Sequence, residues 1–163
     1  MQHNLRILHV TPFYPPSIGG ISNLVFNLCV ELDKLNLDVH IITSRNILSR
    51  NHNDEKRESD RVIEIKSVHL PGWPYSTLRN FSFPADLGYK VNAIIKNGRF
   101  DLIHVHGHHY PICWIALYSA HKNKVPTVLS LHGTYALNPT KLGGQSSIED
   151  LFNKYIFRRV LRK

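Results

Sequence analysis

The feature that most constrains this chain is its repeated switch between two hydrophobic periods. Residues 5–10 (LRILHV) form a short β-type run that ends at Thr11-Pro12. Pro12, Pro15, Pro16, Gly19 and Gly20 then force a loop. After it, Ile21, Leu24, Val25, Leu28, Cys29, Leu32 and Leu35 recur every three to four residues, a stripe along one side of a helix. Residues 39–43 (VHIIT) return to the β pattern, and residues 61–65 alternate as a third strand. A second helix is expected from about Pro84, carrying Leu87, Val91, Ile94 and Ile95, with a C-cap at Asn97-Gly98. Strand four is residues 101–106 (DLIHVH), helix three residues 111–121, and strand five residues 127–131 (TVLSL). Ser146-x-x-Glu149 reads as the capping box of a last helix with Leu151, Phe152, Tyr155, Ile156 and Val160 on its apolar face.

Strands that are nearly continuous apolar runs, alternating with helices, imply a parallel sheet covered on both faces. The expected fold is a Rossmann-like, three-layer α/β/α domain over residues 1–163. In such sheets ligands gather at the carboxyl ends of strands, so the segments that directly follow strands are expected to share one site.

Composition removes other classes. At 42% hydrophobic and 20% charged, the 163-residue chain has ordinary globular usage, so neither a disordered nor a collagenous chain is expected. No run approaches the ~18 apolar residues of a membrane span. Met1-Gln2-His3-Asn4 leads into a short apolar run without a signal-peptide pattern, and Cys29 and Cys113 show no metal or redox spacing. A cytoplasmic setting is expected, with Cys29, on the apolar helix face, as a buried free thiol. The net charge of +8 is spread unevenly. Residues 1–44 hold two basic and three acidic side chains, whereas residues 67–144 hold seven basic and two acidic. Arg158, Arg159, Arg162 and Lys163 form the one tight basic cluster. No basic-aromatic module or recognition helix accompanies the charge, so nucleic acid is not an expected partner. An anionic membrane surface or a phosphorylated substrate explains it equally well.

Three strand-end segments carry chemistry. In residues 11–21 (TPFYPPSIGGI), two glycines open the amphipathic helix, whose N-terminus offers unpaired N–H groups and partial positive charge to a phosphate. The spacing matches neither the dinucleotide fingerprint nor the Walker loop, and a plain steric turn is the competing explanation. In His104-Val105-His106-Gly107-His108-His109, strand alternation puts His104 and His106 on one face. Metal chelation there would need further ligands, and a hydrogen-bonding imidazole is favoured. In Ser130-Leu131-His132-Gly133-Thr134-Tyr135 a second histidine ends a strand. It could cap the strand backbone or meet a ligand.

Residues 7–32, with DVHIIT, FDLIHVHGHH and VPTVLSLHGTY after them, resemble the N-terminal domain of family-4 glycosyltransferases of the GT-B fold. The resemblance implies two Rossmann-like domains facing across a cleft, this one binding acceptor and a C-terminal one binding the nucleotide-sugar donor. It implies transfer with retention of anomeric configuration, a nucleoside-diphosphate sugar as co-substrate, and no cofactor or bound metal. Gly20 matches the glycine whose N–H contacts the donor diphosphate, with Gly19 permitting the turn. His106 matches the histidine at the reaction centre, and His132 the second histidine-bearing strand end. Tyr14, Ile21, Tyr110, His132 and Thr134 fall where the acceptor cleft would be lined.

The donor domain, with its basic pair and E-x7-E segment, is not within the 163 residues, so these residues alone are expected to be inactive. A peripheral position at the inner membrane face is expected if the acceptor is a lipid. The alternatives are a non-catalytic module for a phosphorylated ligand, a sugar-nucleotide epimerase, which would need strand-end carboxylates, and a metal-dependent hydrolase built on the histidines.

Overall fold

The computed structural model describes residues 4–46, 60–67, 87–108 and 110–132. Along the chain these form β1 (Arg6–Thr11), α1 (Gly20–Lys34), β2 (Asp38–Asn46), β3 (Val62–Ser67), α2 (Leu87–Gly98), β4 (Leu102–His106), α3 (Pro111–Lys122) and β5 (Thr127–Ser130). The strands make one sheet in the order β3-β2-β1-β4-β5, and every pairing is parallel. Each element corresponds to a segment expected from the periodicity. The expected last helix lies outside the described residues.

The two faces of the sheet carry separate cores. Leu8, Val10, Ile42, Ile103 and Val105 face α2 and α3, which contribute Val91, Ile95, Ile112, Cys113, Ala116 and Ala120. On the other face Val39 and Ile41 pack with Val25 and Cys29 of α1. Alternation along each strand separates the two sets, as a doubly covered parallel sheet requires. This is the expected three-layer arrangement. Both thiols are buried and free.

Two local expectations need correction. The stripe of α1 is narrower than the sequence suggests: Leu24 and Leu35 are 47% and 69% exposed, while Ser22 is fully buried. Ser22, Val25 and Cys29 are the residues that α1 buries. At the end of α2, the left-handed residue is Arg99 (φ 50°), not Gly98. Gly98 is needed for a packing reason, because a Cβ there would overlap the ring of Phe100.

The strand order decides where a ligand can sit. From β1 the chain crosses to β2 on one side, while β4 lies against the other side of β1. This reversal opens a crevice at the carboxyl ends of β1 and β4, the usual ligand position in open α/β sheets.

Candidate functional site at the carboxyl rim of β1 and β4

The segment after β1 is held at both ends. Thr11, fully buried, donates its hydroxyl to the Phe13 carbonyl at 2.9 Å. Ser44 of β2 donates to the Pro12 carbonyl at 2.9 Å. The chain then turns, with Ser17 N–H on the Tyr14 carbonyl at 3.1 Å, and enters α1. Gly19 is the N-cap and supplies no side-chain hydrogen bond, and no acidic residue lies in the first turn. Among the described residues, the first N–H groups of α1 therefore have no side-chain acceptor, at the positive end of the helix dipole.

A Cβ built on Gly19 or Gly20 would meet nothing within 4 Å. The steric-turn explanation of these glycines thus finds no support among the described residues. Both glycines are exposed, beside open space. That is the geometry in which a bare backbone lets a ligand come close.

The segment after β4 meets the first one. The rings of Phe13 and Tyr110 pack edge to face with centroids 5.3 Å apart, which joins the two loops. Gly107 has φ +91°, a backbone conformation that L side chains rarely adopt, and its N–H reaches the Ser130 carbonyl of β5 at 2.8 Å. Tyr110 precedes α3 as its N-cap, with Pro111 in the first turn.

Between these loops lies a group of histidines. His9 pairs in register with His104, and Val10 with Val105, so the carboxyl ends of β1 and β4 lie together. His9 and His106 are both fully buried. His9 Nδ1 lies 2.9 Å from His106 Nε2. His106 Nδ1 lies 3.2 Å from His132 Nε2. His104 turns instead to the Ser130 hydroxyl, 2.8 Å from its Nε2. Burial is the main cause holding these rings neutral, followed by repulsion from neighbouring imidazoles. It pushes His9 down to about 4 and His106 down to about 2, and lowers His104, His108 and His132.

The expected site residues are thus distributed as follows. Gly19, Gly20, His106, Tyr110 and His132 all belong to segments at the carboxyl end of the sheet, after β1, β4 and the edge strand β5. Tyr14 and Ile21 are half-buried and pack against the α1-side core, so part of each is structural. His106 is more enclosed than the sequence suggests. Both its ring nitrogens are engaged, and a direct contact to a ligand would require the 3.2 Å link to His132 to open. Thr134 and His109 lie outside the described residues. His9 escaped the sequence analysis, because its place opposite His104 depends on the strand order and register.

His9, His104 and His106 bring one ring nitrogen each within 4.8 Å of one another, a set that could close on a divalent ion. Closing would cost the His9–His106 hydrogen bond, and among the described residues no Asp or Glu joins the group.

Comparison with known proteins supplies the family. The profile described as Glycosyltransferase Family 4 matches residues 18–163. The chain belongs to Glycosyltransferase Family 4. It is also similar to an alpha-monoglucosyldiacylglycerol synthase from Acholeplasma laidlawii, 29% identical over 133 residues. That match covers 80% of this chain and 30% of the relative, so the chain spans under a third of the relative's length. As a family-4 glycosyltransferase domain, this one pairs its parallel sheet with a rim of glycines and neutral imidazoles.

Proposed function

We propose that this chain is the acceptor-side domain of a retaining glycosyltransferase that moves a sugar from a nucleoside-diphosphate sugar to a hydroxyl acceptor. The observation that carries this reading is that an uncapped helix N-terminus follows β1 while neutral histidines cluster at the ends of β1, β4 and β5, with Phe13 and Tyr110 joining the loops after β1 and β4. A diphosphate calls for N–H donors and positive potential. A sugar hydroxyl calls for neutral hydrogen-bonding groups that leave it uncharged.

The division of labour follows. As the bond from sugar to diphosphate breaks, charge builds on the leaving phosphate, and the N–H groups at Gly19-Gly20 are oriented in advance to receive it. The hydrogen-bonded pair His106–His132 orients donor sugar and acceptor hydroxyl, and neither ring is a nucleophile. Tyr14, Ile21 and Tyr110 line the acceptor side, and Thr134, outside the described residues, is assigned there on the family resemblance alone. A second domain across the cleft holds the nucleotide, so residues 1–163 alone do not turn over. The helix end and the N–H groups supply the positive potential without a metal, and transfer is expected to survive a chelator.

The relative's name suggests a diacylglycerol-based lipid as the acceptor class. The basic surplus of residues 67–144 and the Arg158–Lys163 end would favour an anionic membrane surface at the inner face. No helix among the described residues is long and apolar enough to cross a membrane.

The test uses full-length protein and compares wild type with Gly20→Val and His132→Ala. Gly20→Val should lose affinity for nucleoside diphosphates, and His132→Ala should keep that affinity and lose turnover. Equal transfer by all three proteins would discredit the site. Binding without transfer in the wild type would favour a non-catalytic module.

A further inference from the structure

The two ring–ring contacts of His106 share an unusual geometry. The His9 and His106 centroids are 5.2 Å apart with 19° between ring planes, and those of His106 and His132 are 5.4 Å apart with 11° between planes. Near-parallel rings at these separations, with nitrogens at 2.9 and 3.2 Å, lie edge to edge and not face to face. Three imidazoles, on β1, on the neighbouring β4 and just past β5, thus form one nearly coplanar row. It climbs from the sheet interior at His9 on β1, through His106 on β4, to His132 just past β5. His104 stays outside the row. It lies across His106 with centroids 4.0 Å apart and spends its Nε2 on Ser130.

We infer that His9, His106 and His132 act as one hydrogen-bonded imidazole chain, which holds His132 as an Nδ1–H donor at the rim and makes His106 a positioning residue that works through it. The direction follows from the inner end. His9 Nε2 is buried with no hydrogen-bond partner among the described residues. A buried N–H without an acceptor is rarer than an under-satisfied lone pair, so His9 Nε2 carries the lone pair. A neutral imidazole has one proton, which in His9 then sits on Nδ1 and is donated to His106 Nε2. The single proton of His106 is consequently on Nδ1 and is donated to His132 Nε2. What remains to His132 is a proton on Nδ1. All three rings therefore adopt the tautomer that is the less common one for free imidazole side chains in water. His132 so held can donate to a ligand oxygen and cannot take a proton at Nδ1, which excludes it as a general base.

This inference deepens the transferase reading and rests on it for the functional role of His132. The test begins with 15N-histidine-labelled full-length protein, free of ligand, near pH 7.5. Long-range proton–nitrogen correlations report which ring nitrogen carries the proton, and nitrogen–nitrogen couplings across hydrogen bonds report the links. The expected result is Nδ1–H on all three rings, with couplings from His9 Nδ1 to His106 Nε2 and from His106 Nδ1 to His132 Nε2. In His106→Leu the link is gone, His132 shifts to the Nε2–H form, and kcat falls while KM holds. In His106→Asn the amide N–H stands where Nδ1 stood, so His132 keeps Nδ1–H and most of kcat returns. An Nε2–H His132 in the wild type overturns the inference, and so does a His132 pattern unchanged in His106→Leu. If His106→Leu does not fold, the wild-type spectrum and His106→Asn decide alone. Spectra as expected, with equal kcat in all variants, would overturn the transfer-site reading and leave the chain itself intact.

Discussion

At the scale of single residues, the buried histidines are expected to weaken the domain in acid. His9 and His106 have their pKa values pushed down to about 4 and about 2, chiefly by burial. In the unfolded chain both would titrate near 6.5, so below that pH the unfolded state binds more protons than the folded one. Their contribution is complete above pH 6.5 and is lost as pH falls from there, toward 4 for His9 and toward 2 for His106, at up to about 1.4 kcal/mol per pH unit for each ring. Urea midpoints should therefore drop clearly between pH 7.5 and pH 5, and an unchanged midpoint would contradict the burial of the pair. Gly107 makes a second residue-scale prediction. At φ +91°, with the Tyr110 ring 3.4 Å from the position of a Cβ, Gly107→Ala is expected to cost roughly 1–2 kcal/mol, read as a lower urea midpoint.

At the scale of elements, the first turn of α1 can be separated from its packing. The helix is anchored by Ser22, Val25 and Cys29, and a side chain at Gly20 meets open space. Gly20→Val should leave the melting temperature within a few degrees of wild type. The same change should weaken nucleoside-diphosphate binding on the order of tenfold, the equivalent of about 1.4 kcal/mol, measured by calorimetry on full-length protein. Element by element, the chain was readable because its strands are apolar runs and its helices have punctuated ends. What escaped reading depended on how side chains pack and not on the periodic pattern. Gly98 looked like a cap, yet its need for a bare backbone comes from Phe100, and Arg99 takes the left-handed conformation. Leu24 and Leu35 fit the helical period but fall beyond the face that β1 and β2 cover.

At the scale of the whole molecule, strand order turns separate segments into a site. Parallel strands and crossovers were inferable from periodicity, and so was a rim where strand-end residues collect. Register was not inferable, and register is what sets His9 against His104 and links His9 to His106 and His132. The opposite end of the sheet has a different character. Arg6 pairs with Asp38 at 3.0 Å and Arg61 pairs with Asp33, so this amino end is charged and ion-paired. At the carboxyl end the histidines are neutral and the helix N-terminus is uncapped. This polarity suits a ligand whose phosphates meet backbone N–H groups and whose hydroxyls meet imidazoles. The most direct measurement is a structure of the full-length protein with a nucleoside-diphosphate sugar bound. A phosphate oxygen is expected in hydrogen bond with backbone N–H at Gly19-Gly20, with the sugar reaching His132. A diphosphate seated away from the first turn of α1, or a sugar far from the ends of β4 and β5, would contradict it.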